Sequence, residues 1–316
     1  MVKTIRERGC RKILLQFPEG LKRRSAAVAT AIAGQTGAII VISGEPCFGA
    51  CDIPETDADL IVHYGHLPIP DLQTPRSVMY IQARSNSDPF PALELALPSL
   101  HGTVGLLTTA QHVHIFDDMV AYLRQKGVNV SVGKGDGRIY SVGQVLGCNA
   151  SSARAIAESA DMFLFVGAGN FHPLAIALAT SLPVIIADPE RTEIRDISEF
   201  KDRVLRQRHA AIETAKQAKN IGILVSRMSG QKREKDAHHL SAILTAAGFE
   251  TFIFEMGLIT QAKLDAFGMD AWVSTACPRL AIDDHAAFSK PILTVTEAEI
   301  LSGKRVWDNY IFDEIV

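Results

Sequence analysis

One pattern occurs three times along this chain and restricts its fold more than any other feature. A short apolar run is followed by a loop, a stretch of helical composition and further strand-length runs in the same order. The first run of each unit opens at Ile13, Val104 and Ile221. The first unit reads as a strand over 11–17, closed by Pro18 and Gly20, then a helix over 21–33 stopped by Gly34 and Gly37. Strands follow over 38–43, 58–66 and 77–81. The second unit reads as strands over 102–109, 128–132, 161–167 and 183–188, with helices over 116–126 and 149–160. The third opens with a polar helix over 194–219. It continues with a strand over 221–226, a helix over 234–247, and strands over 249–254, 269–274 and 292–295. An acid stands just before the third strand of every unit: Asp59, Asp161 and Asp270. Strands alternating with helices predict parallel sheets with helices on their faces. The spacing gives a divergent repeat of about 100 residues, not a solenoid of short units. The expected fold class is α/β, with three parallel-sheet repeat domains over 1–92, 93–198 and 199–316.

The cysteines follow this frame. Cys51 and Cys148 come after the second strand of their units and Cys277 after the third, each in a loop of small residues. They lie 97 and 129 positions apart, so no local knuckle can be built from them. Loops at the carboxyl ends of parallel strands are where α/β folds bind ligands. Three thiolates on a four-iron cluster leave one iron open, three on zinc leave an open position, and each cysteine alone also reads as an inert buried thiol. Cys47 and Cys51 form a C-x₃-C pair, and spacing does not choose between them. Cys10 precedes the first strand, away from any such loop, and reads as inert. There is no C-x₃-C-x₂-C run.

Composition narrows the setting. Five dispersed cysteines are not a disulfide framework, so a reducing cytoplasm is expected. A formal charge of −3 argues against direct binding of nucleic acid. No apolar run approaches the roughly 20 residues that span a bilayer, and the charged first residues lack the apolar stretch of a signal peptide. No membrane association is expected.

The loops also carry a resemblance. Gly49-Ala50-Cys51-Asp52, Leu146-Gly147-Cys148-Asn149-Ala150, and Thr275-Ala276-Cys277-Pro278-Arg279 with Ile282-Asp283-Asp284 resemble those of the archaeal diphthamide synthases. Phe17-Pro18-Glu19-Gly20-Leu21 and Ser229-Gly230-Gln231-Lys232 are similar to further loops of that family. The resemblance implies three domains around a central [4Fe–4S] cluster held by Cys51, Cys148 and Cys277, with Cys47 a bystander, in a homodimer. It implies that the reduced cluster, fed by an electron donor, splits S-adenosylmethionine into methylthioadenosine and a 3-amino-3-carboxypropyl radical. That radical adds to C2 of a histidine imidazole on translation elongation factor 2.

An aminocarboxypropyl group needs partners for its carboxylate and ammonium. The loop residues Gln16, Glu19, His66, His172, Ser226, Gln231, Lys232 and Asp283 are the candidates, and each equally reads as a solvated or capping group. Two other functions remain in view. Quinolinate synthase resembles three α/β repeats around a three-cysteine cluster. A stacked α/β protein that binds a ligand or metal without turnover is the other.

Overall fold

The computed structural model describes residues 1–74 and 76–316, apart from the side chain of Asn309. Residues 1–86 together with 228–230 form one compact unit; residues 87–227 and 231–316 form a second.

The first unit contains α1 (Val2–Glu7), β1 (Lys12–Gln16), α2 (Ser25–Thr36), β2 (Ile39–Ile42), β3 (Leu60–Tyr64) and β4 (Val78–Ile81). Its sheet has the order β2-β1-β3-β4, with every pairing parallel. The apolar run of β1 serves both faces. Ile13 and Leu15 enter one cluster with Ile32 of α2, whereas Leu14 enters another with Ile53 and Ile61. The helix expected over 21–33 begins late, because Glu19–Arg24 is wound as a 3-10 segment. Gly37 ends α2 at φ 70°, a left-handed conformation that glycine adopts without penalty.

The second unit holds two sheets. The first is built from β5 (Thr103–Thr108), β6 (Asn129–Ser131), β7 (Met162–Val166), β8 (Val184–Asp188) and β9 (Glu193–Asp196), in the order β6-β5-β7-β8-β9. Its helices are α3 (Phe90–Ala96), α4 (Phe116–Gln125), α5 (Ser151–Arg154) and α6 (Phe171–Thr180). The second sheet is built from β10 (Asn220–Ser226), β11 (Glu250–Met256), β12 (Ala271–Ser274) and β13 (Ile292–Leu293), in the order β11-β10-β12-β13. Around it lie α7 (Ser198–Ala215), α8 (Glu234–Ala246), α9 (Gln261–Asp265), α10 (Arg279–Ile282) and α11 (Val295–Leu301). Leu174 and Ala175 of α6 pack with Val204 of α7, Ile282 of α10 and Phe312, joining the two sheets of this unit through one apolar cluster.

The helix expected over 194–219 starts later than its composition implies. Residues 193–196 instead pair antiparallel with β8, after a turn in which Thr192 sits at φ 53°. Asp196 then accepts the Ser198 N–H at 2.6 Å and α7 begins. The helix expected over 149–160 is a single turn, α5, followed by further turns. Periodicity alone did not mark α3, α6 and α11. The last starts from a capping box in which Thr294 and Glu297 each bond the other's backbone N–H.

The acids before the third strands have a common role. Asp59 accepts the backbone N–H groups of Arg11 and Lys12 at 2.7 and 2.9 Å. Asp161 accepts that of Thr103 at 2.6 Å. Asp270 accepts those of Lys219 and Asn220 at 3.0 and 2.9 Å. In each sheet a carboxylate just before the third strand therefore clasps the start of the first, fixing the register of the central pair.

In the second unit, the buried Arg208 of α7 forks onto both oxygens of the fully buried Glu297 at 2.8 and 2.6 Å. It also donates to the carbonyls of Ala281 and Ile292 at 2.5 Å each, so its guanidinium is satisfied on several sides. Breaking such a pair from one side costs about 3–5 kcal/mol, because the partner stays buried and uncompensated.

The clasps are ionic, which gives a pH test. The backbone N–H groups hold the carboxyls of Asp59 and Asp270 below the ordinary carboxylate range. A group whose folded value is depressed contributes stability that is present above its unfolded value, near about 4, and lost as pH falls through the folded value. Asp59→Asn and Asp270→Asn should therefore lower the urea midpoint at pH 7, and the gap from wild type should close progressively below about pH 4. A gap that stays constant down to the acid transition would mean that charge is not what the clasp uses.

Candidate functional site

Each of the three cysteines singled out in the sequence sits in a loop beyond a strand, half-buried and not in a disulfide. They are described unit by unit.

In the first unit, the loop carrying Cys51 is pinned at two points. Gln16, at the end of β1, donates its side-chain amide to the carbonyl of Asp52 at 2.7 Å. Gly230, whose segment belongs to this unit, donates its N–H to the carbonyl of Cys51 at 2.9 Å. A Cβ on Gly230 would stand 2.6 Å from the Cα of Cys51, so only glycine allows this approach.

Gln16 also orders two histidines. Its Oε1 lies 2.7 Å from Nδ1 of the fully buried His63, and Nε2 of His63 lies 2.9 Å from Nδ1 of His66. With the amide nitrogen of Gln16 directed at Asp52, its oxygen accepts from Nδ1–H of His63. Nε2 of His63 then accepts from Nδ1–H of His66. Gly65, at φ 91°, reverses the chain between the rings, and a side chain there would strike Pro18. Burial is the main cause that pushes His63 down to about 3 and His66 to about 4, holding both neutral at pH 7. Cys47 is buried beside them, and burial first, then the nearby Asp52, pushes its thiol up to about 12.

In the second unit, Cys148 occupies the tip of a tight turn. Leu146 and Asn149 exchange both backbone hydrogen bonds, at 3.0 and 3.2 Å, leaving Gly147 and Cys148 between them. Gln144 bridges to Thr108 in parallel fashion, so the turn continues the sheet past the end of β5. Cys277 follows β12 directly and precedes α10. Thr275 anchors that exit by donating its N–H and hydroxyl to the carbonyl of Leu224 at 3.0 and 2.9 Å.

Two structures couple the Cys148 and Cys277 loops within this unit. The first is the segment 313–315. Ile315 donates its N–H to the carbonyl of Cys148 at 2.8 Å and accepts from the side chain of Asn149 at 3.1 Å. Glu314 accepts the Ala150 N–H at 2.5 Å and pairs with Arg154. Asp313 receives a two-pronged contact from Arg233 at 2.7 and 2.9 Å. Arg233 also donates to the carbonyls of Thr275 and Ala276 at 2.6 and 3.1 Å. The second is a ring contact: Arg279, two residues after Cys277, lies 5.2 Å above Phe171, whose ring leaves no room for a Cβ on Gly147.

The sequence-expected polar residues divide between the units. Gln16, Glu19 and His66 are in the first, where Glu19 is exposed and ion-paired with Lys22 at 2.6 Å. His172, Ser226, Gln231, Lys232 and Asp283 are in the second. His172 stacks on Phe165 and is pushed down to about 4 by burial first and by the charge of Arg279 second. Ser226 and Gln231 are buried on either side of the loop after β10. Lys232 pairs with Glu234 and Glu255, and Asp283 pairs with Arg279 at 3.0 Å. Sequence reasoning missed Arg233, Asp313 and Glu314, whose partners lie up to 164 positions away. It also missed His63, although His63-Tyr64-Gly65-His66 at a strand end was a visible signal.

Comparisons with known proteins agree over the chain's length. The profile of the diphthamide synthesis protein family matches residues 17–311. The chain is 35% identical to the 2-(3-amino-3-carboxypropyl)histidine synthase of Pyrococcus horikoshii, over 100% of this chain and 92% of that protein. It is 32% identical to subunit 1 of the Yarrowia lipolytica synthase, over 94% of this chain and 70% of that protein. Among solved structures it is similar to Dph2 from Pyrococcus horikoshii with a 4Fe-4S cluster, at a TM-score of 0.93 and 33% identity. That alignment covers 100% of this chain and 92% of the other.

The segment 313–315 should control the order of the Cys148 loop. Asp313→Ala takes away the two-pronged partner of the largely buried Arg233 and leaves it the longer contact to Asp236 at 3.8 Å, at a cost of about 3 kcal/mol. Amide exchange at Ala150 and Ile315 should then rise by an order of magnitude or more, with little change in the central strand β10. Unchanged protection at Ala150 would show that the loop is held without the clasp.

Proposed function

The chain belongs to the diphthamide synthesis protein family, and from that premise we propose that it transfers the 3-amino-3-carboxypropyl group of S-adenosylmethionine to C2 of a histidine in translation elongation factor 2. This is the chemistry of a 2-(3-amino-3-carboxypropyl)histidine synthase, and methylthioadenosine is the second product. Family membership sets aside the quinolinate synthase and turnover-free readings.

One observation carries the proposal. Three sheets share the strand order second-first-third-fourth, and each releases one cysteine from the carboxyl end of a parallel strand. Three thiols from separate loops suit a [4Fe–4S] cluster that keeps one iron for substrate. Their surroundings favour ligation. The backbone approaches Cys51 too closely for any residue but glycine, and the positive charge of Arg233 lies near Cys277, where it favours the thiolate. In this reading Cys51, Cys148 and Cys277 hold the cluster. When bound and reduced, the cluster supplies the electron that breaks the sulfonium bond to the methionine γ-carbon.

The chain's own residues would orient the substrate. A sulfonium must present one carbon–sulfur bond to the reductant, and holding the methionyl carboxylate and ammonium fixes which one. Gln16, Glu19, His66, His172, Ser226, Gln231, Lys232 and Asp283 are proposed for that work. Neutral His172 adds no positive charge beside a cationic substrate.

The remaining assignments belong to the same reading. The three repeats over 1–92, 93–198 and 199–316 act as three domains around the cluster. An external donor provides the electron. The chain works as a homodimer, and the edge strand β2, which exposes Ile39, Val41 and Ile42, offers an apolar contact. The cytoplasm is the setting, since the substrate is a translation factor. Among the described residues no helix is long and apolar enough to cross a membrane.

Two experiments test the proposal. Anaerobic purification with iron and sulfide counting should give about four of each per chain. Cys51→Ala, Cys148→Ala and Cys277→Ala should each abolish the cluster, whereas Cys10→Ala should keep it. A full complement in any of the first three variants removes that residue from the ligand set. Separately, dithionite-reduced protein should convert S-adenosylmethionine to methylthioadenosine. With the elongation factor present, label from the methionine portion should appear on one histidine. 5′-Deoxyadenosine as the main nucleoside would overturn this mechanism even if the cluster were real.

A further inference from the structure

The first unit contains a donor set that the three-cysteine cluster does not use. Cys47, His63 and His66 each offer a ligand atom, and these atoms lie within 4.8 Å of one another. Cys47 and His63 are buried, and His66 is half-buried. We propose that Cys47, His63 and His66 form a second metal site, for a zinc-class divalent ion, that ties the Cys51 loop to the end of β3. The proposal rests on Cys51, and not Cys47, being the cluster ligand of that loop.

The distances suit such an ion. Zinc holds imidazole nitrogen at about 2.0–2.1 Å and thiolate sulfur at about 2.3 Å. A tetrahedral site therefore sets two nitrogens about 3.3 Å apart, and a nitrogen and a sulfur about 3.6 Å apart. Nε2 of His63 and Nδ1 of His66 already stand at 2.9 Å, sharing a single proton. An ion replacing that proton needs the rings to part by about 0.4 Å and the sulfur to close by about 1.2 Å at most. The sulfur's hydrogen bond is a long one, 4.0 Å to the carbonyl of Gly49.

The surroundings match a second, independent feature of metal sites. A ligating histidine usually donates its other ring N–H to a carbonyl or carboxylate, which fixes the tautomer and aims the lone pair. His63 does this: Nδ1 faces the Gln16 oxygen at 2.7 Å, and Gln16 is itself anchored on the Asp52 carbonyl at 2.7 Å. Nε2 of His63 is thus already a lone-pair nitrogen pointed at the other donors. A mixed sulfur–nitrogen set favours zinc or cobalt over magnesium or calcium, which take oxygen ligands. Three protein donors leave a fourth position for water or another ligand.

The test separates this site from the cluster. The full-length triple variant Cys51→Ala/Cys148→Ala/Cys277→Ala removes every proposed cluster ligand. Titrated anaerobically with Co²⁺ alone, it should bind one ion per chain, with strong visible bands of a tetrahedral site and a sulfur-to-cobalt charge-transfer band. One equivalent of Zn²⁺ should bleach both. Cys47→Ser in that background should abolish the charge-transfer band, and His66→Asn should weaken Co²⁺ binding at least tenfold, with unchanged circular dichroism. Cobalt binding without the charge-transfer band, or a spectrum unaltered by Cys47→Ser, would overturn the proposal. If the triple variant fails to fold, elemental analysis of the otherwise wild-type protein decides. One zinc per chain should accompany the iron and disappear in Cys47→Ser; its absence from the parent protein overturns the site. A brown, iron-loaded triple variant would instead defeat the cluster assignment and leave the cobalt result standing on its own.

Discussion

The parallel pairing of the first and third strands of each sheet is the constraint on which the rest of the molecule depends. β1 pairs with β3, β5 with β7 and β10 with β12, and in each case a carboxylate just before the later strand clasps the amide edge of the earlier one. Because side chains alternate along a strand, a slip of one position would exchange the buried and exposed faces of a whole strand. The clasp acts at the amino end of the pair. It leaves the carboxyl end free of regular structure, which is where the cysteine loops emerge. The clasps and the cysteine loops thus lie at opposite ends of the same strands.

The loops themselves are held by backbone contacts rather than by apolar burial. Cys51 is fixed through its carbonyl to Gly230, Cys148 through its carbonyl to Ile315, and the exit to Cys277 through the carbonyls of Thr275 and Ala276 to Arg233. These bonds engage the main chain of each loop. They also make glycine obligatory where a neighbouring backbone comes to within van der Waals contact of a cysteine.

Much of this could be read from the sequence, for identifiable reasons. The strands of the three repeats were legible because apolar runs of four to seven residues ended at glycine, proline or an acid. The acids Asp59, Asp161 and Asp270 stood out by position, and their shared bonding explains the recurrence. The cysteine loops were visible as strand exits. Elements set by tertiary contact were not. Residues 193–196 have helical composition but complete a hairpin with β8, and α11 depends on a capping box beside a buried ion pair. Within the site, Gln16 and His66 were picked out, yet the structure engages Gln16 in ordering His63 and anchoring the Cys51 loop. The residues that hold the Cys148 loop lie far along the chain, and no local pattern in 313–315 announces their partners.

The bond from Asn149 to Ile315 spans 166 positions, and it has a temporal meaning. The loop that carries Cys148 leaves the ribosome well before the residues that brace it have been joined to the chain. At roughly 5–20 residues per second the interval is about 10–30 s. During it the first sheet of the second unit can form, since its strands precede position 197, but the turn around Cys148 lacks the part of its bracing that 313–315 supplies. The loop is therefore closed by its own backbone bonds while the chain is growing and fully braced only after residue 315 has been added. Any group that needs the fixed geometry is received after synthesis has passed that point.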